Sequence, residues 1–219
     1  MTGNLSPEDQ RAFNVQLIET LERLGIPYAI GGSVAAMAYS EHRFTVDIDV
    51  MIDPDIEQLS KFVDEVDSWQ IYISPLESIL EMEIPNHMPF NAIDGLRGTR
   101  AAFYVARSAG LDAAAMTRRK RMTLYTNPET HGWFLSPEDV ILYKLDYYRQ
   151  SGETSAKHPS DIAKMLRVMG DELDLAYLKR WSAEIGVADL WDAMWDEYRK
   201  QSGQGAQARQ PRRGADKPS

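Results

Sequence analysis

Two aspartates two residues apart are the side chains best placed to do chemistry. Val46, Ile48, Val50 and Ile52 alternate with Asp47, Asp49 and Met51. This is the period-two pattern of a strand, so Asp47 and Asp49 project from one face and the aliphatic residues from the other. Two rises of ~3.4 Å place the acids ~7 Å apart along the backbone, near enough for both carboxylates to converge on one cation. Like charges held so close disfavour each other's ionisation unless a cation sits between them. Upstream, Gly31-Gly32-Ser33 follows a short apolar run (Tyr28, Ala29, Ile30) and opens a small-residue segment that reads as one short helix. Such a turn presents backbone N–H groups, unobstructed by side chains, at the positive end of a helix dipole, which suits a polyphosphate. Magnesium takes a few carboxylates plus substrate phosphates in preference to an all-protein cage. Residues 31–53 therefore read as a phosphate cradle and a metal-binding acid pair joined by a hairpin-like return.

The bulk composition limits the setting. The chain has 219 residues, 43% hydrophobic and 26% charged, which is enough for a soluble domain with a proper core or a domain plus a helical extension. There is no cysteine, so disulfides, thiolate metal sites and thiol nucleophiles are excluded; this agrees with a cytoplasmic location. No run approaches the ~18 apolar residues of a membrane span, and the N-terminus lacks a signal-peptide pattern. The formal net charge is −9, although Arg209, Arg212, Arg213 and Lys217 make the tail basic. An acidic body argues against a broad grip on duplex DNA, which needs clustered Lys and Arg against phosphates.

The elements that must position the acids follow in order. Ser6-Pro7-Glu8-Asp9 caps a helix carrying Phe13, Leu17, Leu21 and Leu24, ended by Gly25 and Pro27. Tyr28–Ile30 and Val46–Ile52 are strands. Ile56, Leu59, Phe62, Val63 and Val66 mark an amphipathic helix, Gln70–Ile73 a short strand or turn, and Pro75–Glu83 a short helix. Phe90–Asp94 and Thr99–Ala106 pair around a turn at 95–98. Leu111–Arg121 reads as a helix ending in Arg118-Arg119-Lys120-Arg121, the only dense positive cluster in the body. It is either a solvated face or a contact for RNA or nucleotide phosphate. Met122–Thr126 and Trp133–Leu135 are strand-like. Ser136-Pro137-Glu138-Asp139 caps a second long helix, whose stripe Ile141, Lys144, Leu145 and Tyr148 contains one cation. Lys144 either snorkels with its stem in the core or aims its ammonium at phosphate oxygens. Ser160 caps the next helix, with Asp161 in its first turn, where it would stabilise the dipole. The aromatic residues between Tyr177 and Tyr198 form one or two closing helices, as core or as a partner surface. These elements divide the chain into an α/β core at 1–135, a helical region at 136–200 and a disordered tail at 201–219.

The order Gly-Gly-Ser, helix, then a strand with Asp-x-Asp resembles the nucleotidyltransferase superfamily, the polymerase-β-like fold. Its Arg43-x-Thr45-x-Asp47-Ile48-Asp49 form looks most like the AbiEii-type nucleotidyltransferases of bacterial toxin–antitoxin systems and their uncharacterised relatives. The resemblance implies an α+β fold, with a mixed β-sheet flanked by helices and followed by a C-terminal helical region. It implies transfer of a nucleoside monophosphate from an NTP to an RNA, protein or small-molecule acceptor, with Mg²⁺ or Mn²⁺ as cofactor. It places the metal on Asp47 and Asp49 and the nucleotide on Gly31, Gly32, Ser33, Arg43, Thr45 and Lys144. It makes Asp47, Asp49, Lys144 and Asp161 the catalytic set. For Arg43 and Thr45, structural roles remain equally open. An antitoxin or other protein partner belongs to the same picture.

The sequence departs from that pattern once. Active members of the superfamily it resembles usually carry a third carboxylate on a later strand facing the acid pair, and by pattern that strand is Thr99–Ala106. It reads Arg100-Ala101-Ala102-Phe103, with no acid at Ala102. Asp94, Glu81 and Glu83 are the candidates to replace it. Without a replacement, the alternatives are slower one-metal transfer or a protein that binds NTP without turning it over.

Overall fold

The computed structural model describes residues 6–40 and 47–208, with side chains to residue 202. The element order is α1 (Pro7–Arg23), β1 (Tyr28–Ile30), α2 (Gly32–Ala38), β2 (Asp47–Ile52), α3 (Ile56–Ser68) and β3 (Tyr72–Ile73). A short α4 (Leu76–Ser78) continues as a π-helix over Ile79–Glu83. Then come β4 (Phe90–Asp94), β5 (Thr99–Val105), α5 (Gly110–Arg118), β6 (Lys120–Thr126) and β7 (Glu129–Phe134). Helices α6 (Pro137–Gln150), α7 (Lys157–Met169), α8 (Leu175–Glu184) and α9 (Ala188–Ala208) complete the chain. Among the described residues the strands form one mixed sheet in the order β3-β4-β5-β2-β1-β7-β6. No described helix is long and apolar enough to cross a membrane.

The centre of the sheet sets the site. β2 runs antiparallel to β1 and parallel to β5, with Asp47 beside Arg100, Asp49 beside Ala102 and Met51 beside Tyr104. Directly paired residues share a face. The opposite face carries Ile48, Val50 and Ile52, all fully buried. There Phe103 stacks on Phe90 at 5.1 Å and meets Phe62 of α3 edge-on at 5.1 Å, which seats α3 on the aliphatic face. The strand alternation thus becomes an apolar floor beneath an acidic face. An Asp55–Gln58 capping box starts α3, and Ser6 and Ser136 accept the Asp9 and Asp139 amides at the starts of α1 and α6.

On the acidic face, α2 packs on β2 and α6, and α6 in turn packs on α7 and α8. Trp181 and Trp191 are 7% and 4% exposed, so the inner part of the aromatic stripe belongs to the core. Outside it, Trp195 sits 5.5 Å from Trp191 and 5.3 Å from Tyr198.

Several boundaries differ from the sequence reading, among them the start of β7, which lies at Glu129 rather than Trp133. α5 ends at Arg118, because Arg119 turns extended (φ −55, ψ 146) and Lys120 begins β6. α7 starts at Lys157 rather than after a Ser160 cap, with Pro159 in the first turn, where its missing N–H costs nothing. α9 runs to Ala208, so 201–208 is helical where a tail was expected.

Candidate active site

The sheet draws the two halves of the motif together. Ile30 pairs with Val50, and the next amide, that of Gly31, donates to the Asp49 carbonyl at 2.8 Å. The glycine turn is thereby tied to the strand that carries the acids. Gly32 has φ +56, and a β-carbon there would come within 2.6 Å of Asp49 Cγ and 2.8 Å of Asp49 Cβ. Only glycine tolerates both that backbone and that neighbour. Sheet pairing takes the Gly31 N–H, so the Gly31 contribution to the cradle is its backbone turn. The hydrogen-bond ladder of α2 begins with the Ala35 amide donating to the Gly31 carbonyl at 3.0 Å, so the amides before it belong to the first turn.

Gly31, Gly32, Ser33, Asp47, Asp49 and Lys144 line one cavity of about 580 Å³. Burial is the main cause that lifts the Asp49 carboxyl above the usual carboxylate range; Lys144 opposes the rise and Asp47 adds to it. Lys144 projects from α6 and donates to Asp161 Oδ2 on α7 at 2.9 Å, with the two side chains 5% and 6% exposed. Burial lowers the Lys144 pKa, and the Asp161 hydrogen bond and charge work against that fall. Asp161 stands behind Lys144, outside the cavity lining, and lies more than one turn into α7. The dipole role read from the sequence therefore gives way to a buried ion pair. Arg43 and Thr45 lie outside the described residues.

The candidates for a third carboxylate do not complete the pair. Asp94 pairs with Thr99, so it projects from the sheet face opposite Asp49, where Arg97 holds it at 2.7 Å. Glu83 lines the cavity but accepts the Ser78 hydroxyl at 3.1 and 3.2 Å, and Glu81 is not in the lining. Among the described residues, no group of three or more His, Asp or Glu could hold a metal ion. The register sets Ala102 directly beside Asp49.

Three of the four cations in the positive cluster bond within the protein. Arg118 bonds Glu138 at 2.9 Å and lies 4.0 Å over the Tyr177 ring. Arg119 donates to the Met116 carbonyl and sits 5.1 Å over Trp133, and Arg121 bonds Glu22 at 2.9 Å. None of the four lines the cavity. Sequence reasoning missed Tyr104, Tyr147, Lys157 and His158, all of which do. Tyr147 falls one turn after Lys144, a spacing that could have flagged it; the others reach the cavity only through tertiary packing.

No protein-family model matches the sequence, and no curated protein matches it. Solved structures do. A crystal structure of ANT(2'')-Ia in complex with adenylyl-2''-tobramycin aligns with TM-score 0.53 and 14% identity, over 89% of this chain and 99% of that one. A solution structure of the same antibiotic-resistance factor gives TM-score 0.50 and 15% identity, over 90% and 97%. The lincomycin-bound lincosamide antibiotic adenylyltransferase LnuA gives TM-score 0.50 and 12% identity, over 76% and 99%. The fold of this chain is therefore nucleotidyltransferase-like, a mixed sheet flanked by helices and continued by a C-terminal helical region.

Proposed function

We propose that this chain transfers a nucleoside monophosphate from an NTP to an acceptor hydroxyl, with Mg²⁺ or Mn²⁺ held by Asp47 and Asp49. The observation that supports it is the Asp49 carboxylate packed on Gly32 in the same cavity as Lys144. Two carboxylates on one strand face suit a hard cation that draws its other ligands from phosphate oxygens and water. Such an ion supplies charge neutralisation at the reacting phosphate and acidifies the attacking hydroxyl. The amides of Gly32 and Ser33, at the turn fixed by Gly31, bind the phosphates. Lys144 lends positive charge to the phosphate oxygens, and Asp161 holds it in position.

Tobramycin and lincomycin in the two adenylyltransferases support a small-molecule acceptor. An RNA acceptor, an AbiEii-type toxin role and an antitoxin partner rest on the Arg43–Asp49 motif form alone. The test incubates the full chain with each α-labelled NTP and Mg²⁺, in the presence of tobramycin, lincomycin or tRNA. A labelled acceptor with release of pyrophosphate is expected, and both should vanish in Asp49→Ala.

A second reading, an NTP-binding regulator without turnover, is favoured by Ala102 beside Asp49. It predicts Mg-dependent NTP affinity that falls in Asp49→Ala, with no product from the native chain under conditions where Ala102→Asp yields one.

A further inference from the structure

On the far side of Asp49 from the glycine turn stands an aromatic wall that the nucleotide reading leaves unused. The sheet order β5-β2-β1 places Asp49 between Gly31-Gly32 at the end of β1 and Tyr104 on β5. Tyr104 lies one side-chain row along from Ala102. Its ring meets that of Tyr147 edge-on, with centroids 6.0 Å apart at 84°. Tyr147 in turn stacks on His158 at 6.1 Å and 19°. The Tyr147 hydroxyl donates to the Tyr104 hydroxyl, which fixes both rings. All three residues line the cavity, and Tyr147 keeps 38% of its surface exposed. His158 Nδ1 is buried with no hydrogen-bond partner among the described residues. An unpartnered buried nitrogen needs an explanation, and this one adjoins the exposed Tyr147 at the cavity wall.

In-line displacement decides what belongs there. The attacking and leaving oxygens lie on opposite sides of the reacting phosphorus. Pyrophosphate departs toward the α2 amides, so the acceptor approaches from the β5 side, over the Tyr104 row. Resting on the nucleotidyl-transfer reading above, we propose that Tyr104, Tyr147 and His158 seat the acceptor, and that the acceptor is a small hydroxylated compound with a ring whose flat face stacks on this wall. Aromatic faces bind rings through apolar contact while their polar edges fix orientation. A polynucleotide fits less well. Arg118, Arg119 and Arg121 of the basic cluster that could track a phosphate backbone are bonded within the protein, and polynucleotide affinity would depend on such a track.

The test uses the full chain with Mg²⁺ and two binding measurements. The acceptor probe is p-nitrophenyl β-D-glucoside, followed by saturation-transfer NMR; the nucleotide probe is each NTP, followed by calorimetry. Tyr147→Ala and His158→Ala should each weaken the glucoside at least 10-fold and change NTP affinity less than 2-fold. Tyr147→Phe, which keeps the ring, should stay within 3-fold for both. Loss of NTP affinity together with glucoside affinity would assign the wall to the nucleobase and overturn the proposal. So would a glucoside that binds the native chain and Tyr147→Ala equally, or one that does not bind while NTP does. Failure of every NTP to bind, with glucoside binding intact, would instead strike the nucleotidyl-transfer reading.

Discussion

Gly32 lies directly against Asp49, so that a side chain on the one would occupy the space of the other's carboxylate. The contact joins the turn that opens α2 to the strand that carries the acids. It follows from two facts of the chain: the Gly31 amide completes the β1–β2 pairing onto the Asp49 carbonyl, and Gly32 turns left-handed at φ +56 immediately after. A phosphate on the α2 amides would therefore sit beside the carboxylate pair.

Gly32→Ala tests that contact. The methyl would meet Asp49 Cγ at 2.6 Å in a backbone region that disfavours side chains. Urea unfolding should show a loss of roughly 1–3 kcal/mol, the scale of a strained residue at a functional site. NTP affinity should fall at least 10-fold, because the turn and the acid must move apart. Gly98→Ala serves as the control. It also has positive φ, but nothing lies within 4 Å of its added carbon, so it should cost stability alone.

Asp49→Asn should separate stability from function. Burial raises the Asp49 carboxyl above its unfolded value. The sign follows from linkage: a raised folded pKa favours the folded state while the group is protonated, and that advantage is lost as pH rises through the folded pKa. At neutral pH the ionised carboxylate is a cost to the ligand-free protein. Asparagine removes it, so the ligand-free variant should melt higher, by on the order of 1 kcal/mol. The Mg–NTP-induced rise in melting temperature should disappear. In the native chain, NTP affinity should decline on acidification from above the ordinary carboxylate range, as Asp49 takes up its proton.

How far the sequence was legible depends on the range of each interaction. The alternation at 47–52 is local, and it predicted both the acidic face and the aliphatic floor. The caps at Ser6 and Ser136 are local and also matched. Arg119 shows the opposite case. Its neighbours continue a helical composition, but the chain extends there to bring Lys120 into register with Phe134 of β7. Ser160 reads as a cap by its residue type, yet a proline at 159 is compatible with a helix that already begins at Lys157. Asp161 changed role because its partner is 17 residues away on another helix. The aromatic wall joins β5, α6 and α7, a relation that no single window of sequence contains.

Lys144 and Asp161 should behave as a buried pair. Lys144→Ala takes the ammonium away from the Asp161 carboxylate, which is 6% exposed, and stability should drop by about 3–5 kcal/mol, the scale of removing one member of a buried pair. Lys144→Met with Asp161→Leu removes both charges, and the double variant should recover most of that loss. Turnover should stay absent in both, because neither returns a cation to the phosphates. Thermal melts and single-turnover assays on the same samples check the pattern. Recovery of turnover in the double variant would remove Lys144 from the transfer step.

Ala102→Asp asks what the missing acid costs. Ala102 is 1% exposed and directly beside Asp49 in the β2–β5 register. A carboxylate there enters a space already charged by Asp47 and Asp49, so the ligand-free protein should lose a few kcal/mol, the scale of burying an uncompensated polar group. Like charges this close share protons or a cation. Millimolar Mg²⁺ should therefore restore more of the melting temperature in this variant than in the native chain, because three acids bind a divalent ion more tightly than two. If transfer in the native chain is limited by hydroxyl activation, the variant should also turn over at least 10-fold faster, with the gain in kcat rather than in NTP affinity. A Mg²⁺-dependent recovery of stability without any gain in rate would mean that a metal gathers at this row while acceptor activation comes from another group in the cavity. The pH dependence of kcat would then be the same with alanine or aspartate at 102.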